Sequence, residues 1–153
     1  MDESKLAYDR SVTALTGAGR EFELTRCSID NVDYTVYRRA PKTLQDVYFA
    51  AAAHGESEFI IYQGERWTFN ILFQQAWSLA DALTTKHHIA RGDRVGIAMR
   101  NYPEWLSAFV AITSIGALAV PINSWGTARD LLFAARNSEC KTVFCDQQRH
   151  TLI

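Results

Sequence analysis

The pattern of apolar and polar residues changes near Pro41. Before this point, Lys5–Leu15 has modest helical periodicity, and Phe22–Arg39 alternates apolar with polar residues as an extended chain does. Asp30–Asn31 lies within the extended stretch and is typical of a two-residue turn. We therefore expect residues 1–40 to form an extension made of one helix and one β-hairpin.

After Pro41, helical patterns alternate with short apolar runs. Capping residues predict helices that begin near Thr43, Thr68, Asn101 and Thr127. Apolar runs predict strands at Phe59–Tyr62, Arg94–Met99, Ala117–Ile122 and Lys141–Cys145, and Gln63–Arg66 reads as a turn. The last three of these strands have too little alternation for a solvated face, and each is separated from the next by a helix. The sequence thus predicts an α/β fold over residues 41–153, in which helices cover a sheet of parallel strands.

The last expected strand stands close to the end of the sequence. The residues that follow Cys145 are enough only to begin a covering helix. A strand without its neighbours leaves an exposed apolar edge. We therefore expect an incomplete N-terminal subdomain, truncated from a longer chain, whose free edge would allow self-association.

The composition is that of an ordinary globular domain, and it argues against nucleic-acid binding, secretion and membrane insertion. The chain has 153 residues, of which 48% are hydrophobic and 22% charged, as in ordinary globular domains. Its formal net charge is -1 and no block of like charge occurs, so we expect no nucleic-acid partner. The acidic start Met1–Lys5 does not resemble a secretory signal, and no run approaches the roughly 20 apolar residues of a membrane span. Three widely spaced cysteines predict neither disulfides nor a zinc site, and we expect a cytoplasmic location.

Candidate chemical groups all have simple structural interpretations. Gly17 and Gly19 lack the third glycine of a phosphate-binding loop, so they are expected to end a helix. His87–His88 has no partner at ligand spacing and is expected at a solvated helix end. Cys145, at the end of an apolar strand, is expected to be a buried thiol rather than a nucleophile. Tyr102, Trp105 and Phe109 share one face of a helix, which favours a place in the core.

Two segments resemble the N-terminal part of the adenylate-forming enzymes, the superfamily of AMP-dependent synthetases and ligases that includes the acyl-CoA synthetases. They are Gly92–Trp105 (GDRVGIAMRNYPEW) and Ile115–Asn123 (IGALAVPIN). Glu65–Phe69 resembles the strand-to-helix entry of that family, and Cys140–Asp146 resembles the strand that follows. The resemblance extends over about residues 41–153, and Leu15–Glu23 is similar to the leader of some fatty or aromatic acyl-CoA ligases.

The resemblance implies a function for the full-length form. Such an enzyme activates a fatty or aromatic carboxylic acid with ATP and Mg²⁺ to an acyl adenylate, and then transfers the acyl group to CoA. The family's phosphate-binding loop, which ends in Pro-Lys-Gly, and its catalytic lysine have no matching positions in this sequence. We therefore expect no catalytic, cofactor-binding or metal-binding residue in this chain, and no bound cofactor.

Two hypotheses follow. In the first, the chain is the N-terminal fragment of an acyl-CoA synthetase and is inactive by itself. In the second, it is a free-standing α/β binding or regulatory module that docks to a partner protein through its last strand.

Overall fold

The computed structural model describes residues 3–152, which divide into two compact units, residues 3–42 and 43–152. The first unit contains helix α1 (Glu3–Thr16) and strands β1 (Leu24–Ile29) and β2 (Val32–Tyr37). The two strands pair antiparallel around Asp30 and Asn31, whose φ angles of 50° and 63° are those of a tight hairpin turn. The expected helix and hairpin are confirmed.

The second unit contains five further helices and five further strands among its described residues. The helices are α2 (Leu44–Ala52), α3 (Phe69–Thr85), α4 (Pro103–Ser114), α5 (Ala128–Asn137) and α6 (Gln147–His150). The strands are β3 (Glu58–Tyr62), β4 (Glu65–Thr68), β5 (Arg94–Ala98), β6 (Leu118–Pro121) and β7 (Thr142–Cys145).

Helix starts at three of the expected positions are confirmed by their hydrogen bonds. Thr43 and Thr127 each form a capping box with the aspartate three residues later, and the Thr68 side chain accepts a bond from the Ile71 N–H. Each cap gives a partner to backbone N–H groups that have none within the helix. The sequence therefore fixes where these helices begin.

A three-stranded parallel sheet forms the centre of the second unit. Its order is β6-β5-β7, with Val95 opposite both Ala119 and Thr142. The central strand is covered on both faces, and Val95 and Ile97 are fully buried. This explains why β5 shows no alternation, and it confirms the α/β class with a parallel sheet and covering helices.

Two groups of apolar side chains pack against this sheet. The larger contains Ile97 on β5, Leu83 of α3 and Ile112 of α4. The smaller joins Ala98, Ile122 and Leu131, and so holds α5. Helix α2 packs against α3 and α4, where the Tyr48 hydroxyl and Thr113 Oγ1 are 2.7 Å apart.

The interpretation of Gln63–Arg66 as a turn was wrong at its second half. Gln63 and Gly64 make the turn, with φ angles of 47° and 87°, but Glu65 and Arg66 begin β4. Strand β3 pairs antiparallel with β4, so the run Phe59–Tyr62 belongs to a hairpin and not to the parallel sheet. Exposed residues of β3, such as Ile61, agree with this separate position.

Two other expectations need correction. Asn101 does not cap α4, because the cap is Tyr102, which has extended geometry and makes no side-chain cap bond. A residue before proline avoids helical geometry, so Pro103 moves the helix start by one residue. The run Ala117–Ile122 does form a strand, but β6 lies at the sheet edge and Leu118 is 52% exposed.

Two glycines with left-handed backbones provide a matched test of this fold. Gly116, which ends α4, has a φ of 76°, and Gly64 has a φ of 87°. A Cβ at Gly116 would lie 3.1 Å from Cγ of Arg91, whereas one at Gly64 would meet nothing within 4 Å. We expect Gly64→Ala to lower the unfolding free energy by about 1 kcal/mol, and Gly116→Ala to lower it further. Urea unfolding of both variants checks this, and equal losses would mean that Arg91 moves aside without cost.

Candidate functional site

The carboxyl ends of the three parallel strands lie side by side. Residues that follow them include Arg100 after β5, Trp125 after β6 and Asp146 after β7. In open α/β sheets, ligands bind at this edge, because loops from neighbouring strands meet there. We call this end of the sheet, where the carboxyl ends of the three strands meet, the carboxyl edge, and it is the candidate functional site.

A buried ion pair between Asp146 and Arg149 connects the segments that follow the three strands. Arg149 is 4% exposed, and its Nη1 donates to both carboxylate oxygens of Asp146 at 3.0 Å. The Arg149 Nε donates to the carbonyl oxygen of Ser124 at 2.9 Å, and the Arg100 backbone N–H donates to Oδ2 of Asp146 at 3.0 Å. We call this set of bonds the Asp146 clamp, and it links the ends of all three strands.

The clamp favours the charged form of Asp146. Burial by itself would raise the pKa of this carboxyl group. Hydrogen bonds from the Arg149 side chain and from the backbone N–H groups of Arg100 and Arg149 outweigh burial and hold the pKa of Asp146 below its ordinary value. The carboxylate is therefore ionised at neutral pH and at moderately acidic pH.

Arg100 lies against an exposed indole at the same edge. Its Cζ is 3.0 Å from the centroid of the Trp125 ring, and Trp125 is 81% exposed. The backbone N–H of Trp125 donates to Oδ1 of Asn123 at 3.1 Å. The Trp125 loop is thus held by its own hydrogen bond, by the clamp and by the guanidinium under the ring.

Two clefts adjoin the edge. One, of about 410 Å³, lies between the ends of β5 and β7 and the start of α4, and its lining includes Tyr62, Glu65, Tyr102, Glu104 and Asp146. The other, of about 550 Å³, is apolar and lies beside β7, where Leu79, Met99, Ala108 and Phe144 line it. The first is acidic and aromatic, and the second suits apolar groups.

The glycines and histidines noted in the sequence lie beyond the ends of helices. Gly17 and Gly19 follow the end of α1, and His87 and His88 are exposed beyond the end of α3, as expected for helix ends. Cys145 lies at the edge, and burial raises the pKa of its thiol, which opposes formation of a thiolate.

The aromatic face of α4 is only half-buried. Trp105 and Phe109 stack with their ring centroids 5.5 Å apart and pack against the larger core group. Tyr102 meets Tyr62 edge to face at 5.8 Å. The prediction of a place in the core is confirmed for Trp105 and Phe109, which are partly buried against the larger core group. Tyr102 instead lines the acidic cleft.

Sequence reasoning missed Arg100, Trp125, Asp146 and Arg149. A signal for three of them was present, because each stands just beyond an apolar strand of a parallel sheet, where ligand-contacting residues concentrate. Arg149 had no such signal, since only the fold brings it under the Ser124 carbonyl. Residues 3–152 contain no group of three or more side chains that could hold a metal ion, and no helix among them is long and apolar enough to cross a membrane.

The chain is similar to known proteins over most of its length. The sequence profile of the family described as AMP-binding enzyme matches residues 48–152. The acyl-CoA ligase sidI of Beauveria bassiana is 40% identical over 93 residues, which cover 60% of this chain and 16% of that protein. The acyl-CoA ligase sidI of Aspergillus fumigatus is 31% identical over 103 residues, which cover 65% and 17%.

Solved structures agree on the fold. The N-terminal domain of FACL13 from Mycobacterium tuberculosis aligns with a TM-score of 0.67 and 27% identity, over 73% of this chain and 29% of that one. The N-terminal subdomain of Klebsiella oxytoca NpsA aligns with a TM-score of 0.63 and 23% identity, over 70% and 28%. The chain therefore corresponds to an N-terminal region, and it spans about a sixth of the length of the curated relatives given above.

We expect Asp146→Asn to lower the unfolding free energy by about 3 kcal/mol at pH 7, because it leaves the buried Arg149 without a counter-charge. The folded-state pKa of Asp146 lies below its unfolded value of about 4. The carboxylate therefore stabilises the fold above about pH 4, and this contribution is lost as the pH falls through the folded-state pKa.

Urea unfolding at pH 7 and at pH 3 measures both effects, and the difference between Asp146→Asn and the parent should shrink at pH 3. Glu139→Gln is the control, because Glu139 pairs with Arg94 on the exposed surface. That variant should lose less than about 1 kcal/mol. Equal losses in the two variants would show that the clamp is no stronger than a surface pair.

Proposed function

The chain belongs to the AMP-binding enzyme family, and we propose that it forms the N-terminal scaffold of an acyl-CoA ligase. The match over residues 48–152, together with 40% identity to an acyl-CoA ligase, carries this proposal. The reaction would activate a carboxylic acid with ATP and Mg²⁺ to an acyl adenylate and then transfer the acyl group to CoA. We further propose a fatty or aromatic acid as substrate and the cytoplasm as the location.

The role that we assign to the described residues is structural. Residues 41–153 would provide the family's α/β scaffold, and residues 1–40 would be an extension of it. The scaffold contributes a sheet edge in fixed register, because the Asp146 clamp joins the ends of its strands. Loops that carry catalytic groups need such a rigid support to hold their geometry.

The Asp146 carboxylate and the cleft between β5 and β7 do not fit Mg-ATP by themselves. Magnesium prefers free carboxylate oxygens, whereas both oxygens of Asp146 already accept hydrogen bonds. The cleft between β5 and β7 is lined by Glu65, Glu104 and Asp146 and by no lysine or arginine, so it does not suit a triphosphate. We therefore derive no step of adenylation from these residues.

We expect the purified 153-residue chain to show no ATP–pyrophosphate exchange with any carboxylic acid. Adenylation depends on positive groups placed around the transferring phosphoryl group, and the family's phosphate-binding loop and catalytic lysine, which supply them, have no matching positions in this sequence. A radiolabelled exchange assay with a full-length acyl-CoA ligase as positive control measures this. Exchange that persists through further purification, and that Asp146→Asn reduces, would contradict the proposal.

We also propose that the chain self-associates through the free edge of β7. No strand among residues 3–152 pairs with this edge, and the apolar cleft with Leu79 and Phe144 lies beside it. Unpaired edge strands are templates for another chain. The Lys141 N–H donates to Arg94 of β5 at 2.9 Å, so strand alternation directs the Thr142 N–H outward.

Thr142→Pro removes this outward donor without removing a bond to β5, and we expect it to reduce dimer or higher oligomer formation. Thr142→Val keeps the N–H and serves as the matched control. Light scattering during size-exclusion chromatography over a range of concentrations measures the mass. A parent chain that stays monomeric at all concentrations would contradict self-association.

A further inference from the structure

The guanidinium group of Arg100 has no counter-ion among the described residues. It makes no side-chain hydrogen bond or ion pair, and its main contact is the Trp125 ring. Its Nη1 is buried without a hydrogen-bond partner, while its other two nitrogens are not buried. A partly buried cation in this state has lost water without gaining an acceptor.

The carboxylate that could neutralise Arg100 is already in use. Asp146 accepts two bonds from Arg149 Nη1, and it binds Arg100 only through the backbone N–H. The Asp146 carboxylate thus forms its ion pair with Arg149 and not with the Arg100 guanidinium. Burial first, and the charge of Arg149 second, lower the pKa of Arg100, and together they outweigh the opposite effects of Asp146 and Tyr102.

Hydrogen bonds fix the residues around Arg100. The Arg149 Nε donates to the Ser124 carbonyl oxygen, and the Trp125 backbone N–H donates to Asn123 Oδ1. These bonds fix the loop that places the indole against Arg100. The cluster lies at the carboxyl edge of the parallel sheet. A preformed site binds its ligand with little further loss of conformational freedom.

We propose that Arg100, together with the Trp125 platform, binds the oxyanion group of a small molecule, a phosphate or a carboxylate. The planar fork of arginine matches the spacing of oxygens in both groups. The anion supplies the charge that Asp146 does not, and the accessible nitrogens of Arg100 donate to it. This site is distinct from the role as a scaffold and does not depend on acyl-CoA ligase activity.

The fluorescence of Trp125 can report binding of an anion at Arg100. Tryptophan fluorescence of the 153-residue chain is titrated with pyrophosphate and, separately, with benzoate, at constant ionic strength. We expect a saturable change with at least one of them, and the anion that produces it identifies the class of ligand. Trp125→Phe should abolish the fluorescence change, which assigns the signal to this indole among the four tryptophans of the chain.

Arg100→Gln should weaken the response by about tenfold or more, as expected for the loss of hydrogen bonds from a charged group. Arg94→Gln is the matched control, because Arg94 lies at the amino end of the strand that Arg100 follows. This variant should bind the anion as the parent chain does. Arg100→Lys keeps the charge but loses the planar fork, and it should also bind the anion more weakly than the parent. It replaces Arg100→Gln if that variant unfolds below the assay temperature. No saturable response in the parent, or equal weakening by Arg94→Gln, would overturn the proposal.

Discussion

The bonds to the Asp146 carboxylate connect the ends of three short strands, in addition to the sheet pairing and the apolar packing that hold these strands together. Strands β6 and β7 have four residues each, and β5 has five, so each ladder contains few hydrogen bonds. The clamp adds bonds to the backbone of Arg100 and, through Arg149, to that of Ser124. Because these atoms follow β5 and β6, the register of the sheet and the path of its edge loops depend on one side chain.

The same clamp explains the distribution of charge at the edge. Arg149 is buried and needs a full counter-charge, and Asp146 supplies it with both oxygens. Arg100 therefore lies beside an ion pair that is already complete, and its guanidinium turns to the Trp125 ring. At the amino ends of the strands, Arg94 and Glu139 form an exposed ion pair, and Lys141 pairs with Asp93, whose side chain is mostly buried.

Local rules account for the parts of the fold that the sequence predicts correctly. The capping boxes at Thr43 and Thr127 and the turn at Asp30–Asn31 act within a few residues, so their sequence pattern is sufficient. The apolar pattern missed strand β4 because Glu65 and Arg66 are polar and follow a turn, although the resemblance of Glu65–Phe69 to the family's strand-to-helix entry indicated a strand there. Asp146 and Arg149 are only three residues apart, but their bonds to Arg100 and Ser124, and the contact of Arg100 with Trp125, join residues that are far apart in the chain, and no local pattern specifies those contacts.

The order β6-β5-β7 has a consequence for the sequence of events in folding. Strand β5 pairs first along the chain with β6, and its other side must wait for β7, which arrives only after α5. Contacts between residues so distant in the chain form slowly, because a long loop must close before they can contribute. During synthesis, β6 emerges and can pair with β5 before β7 does, so the other edge of β5 stays unpaired until β7 follows.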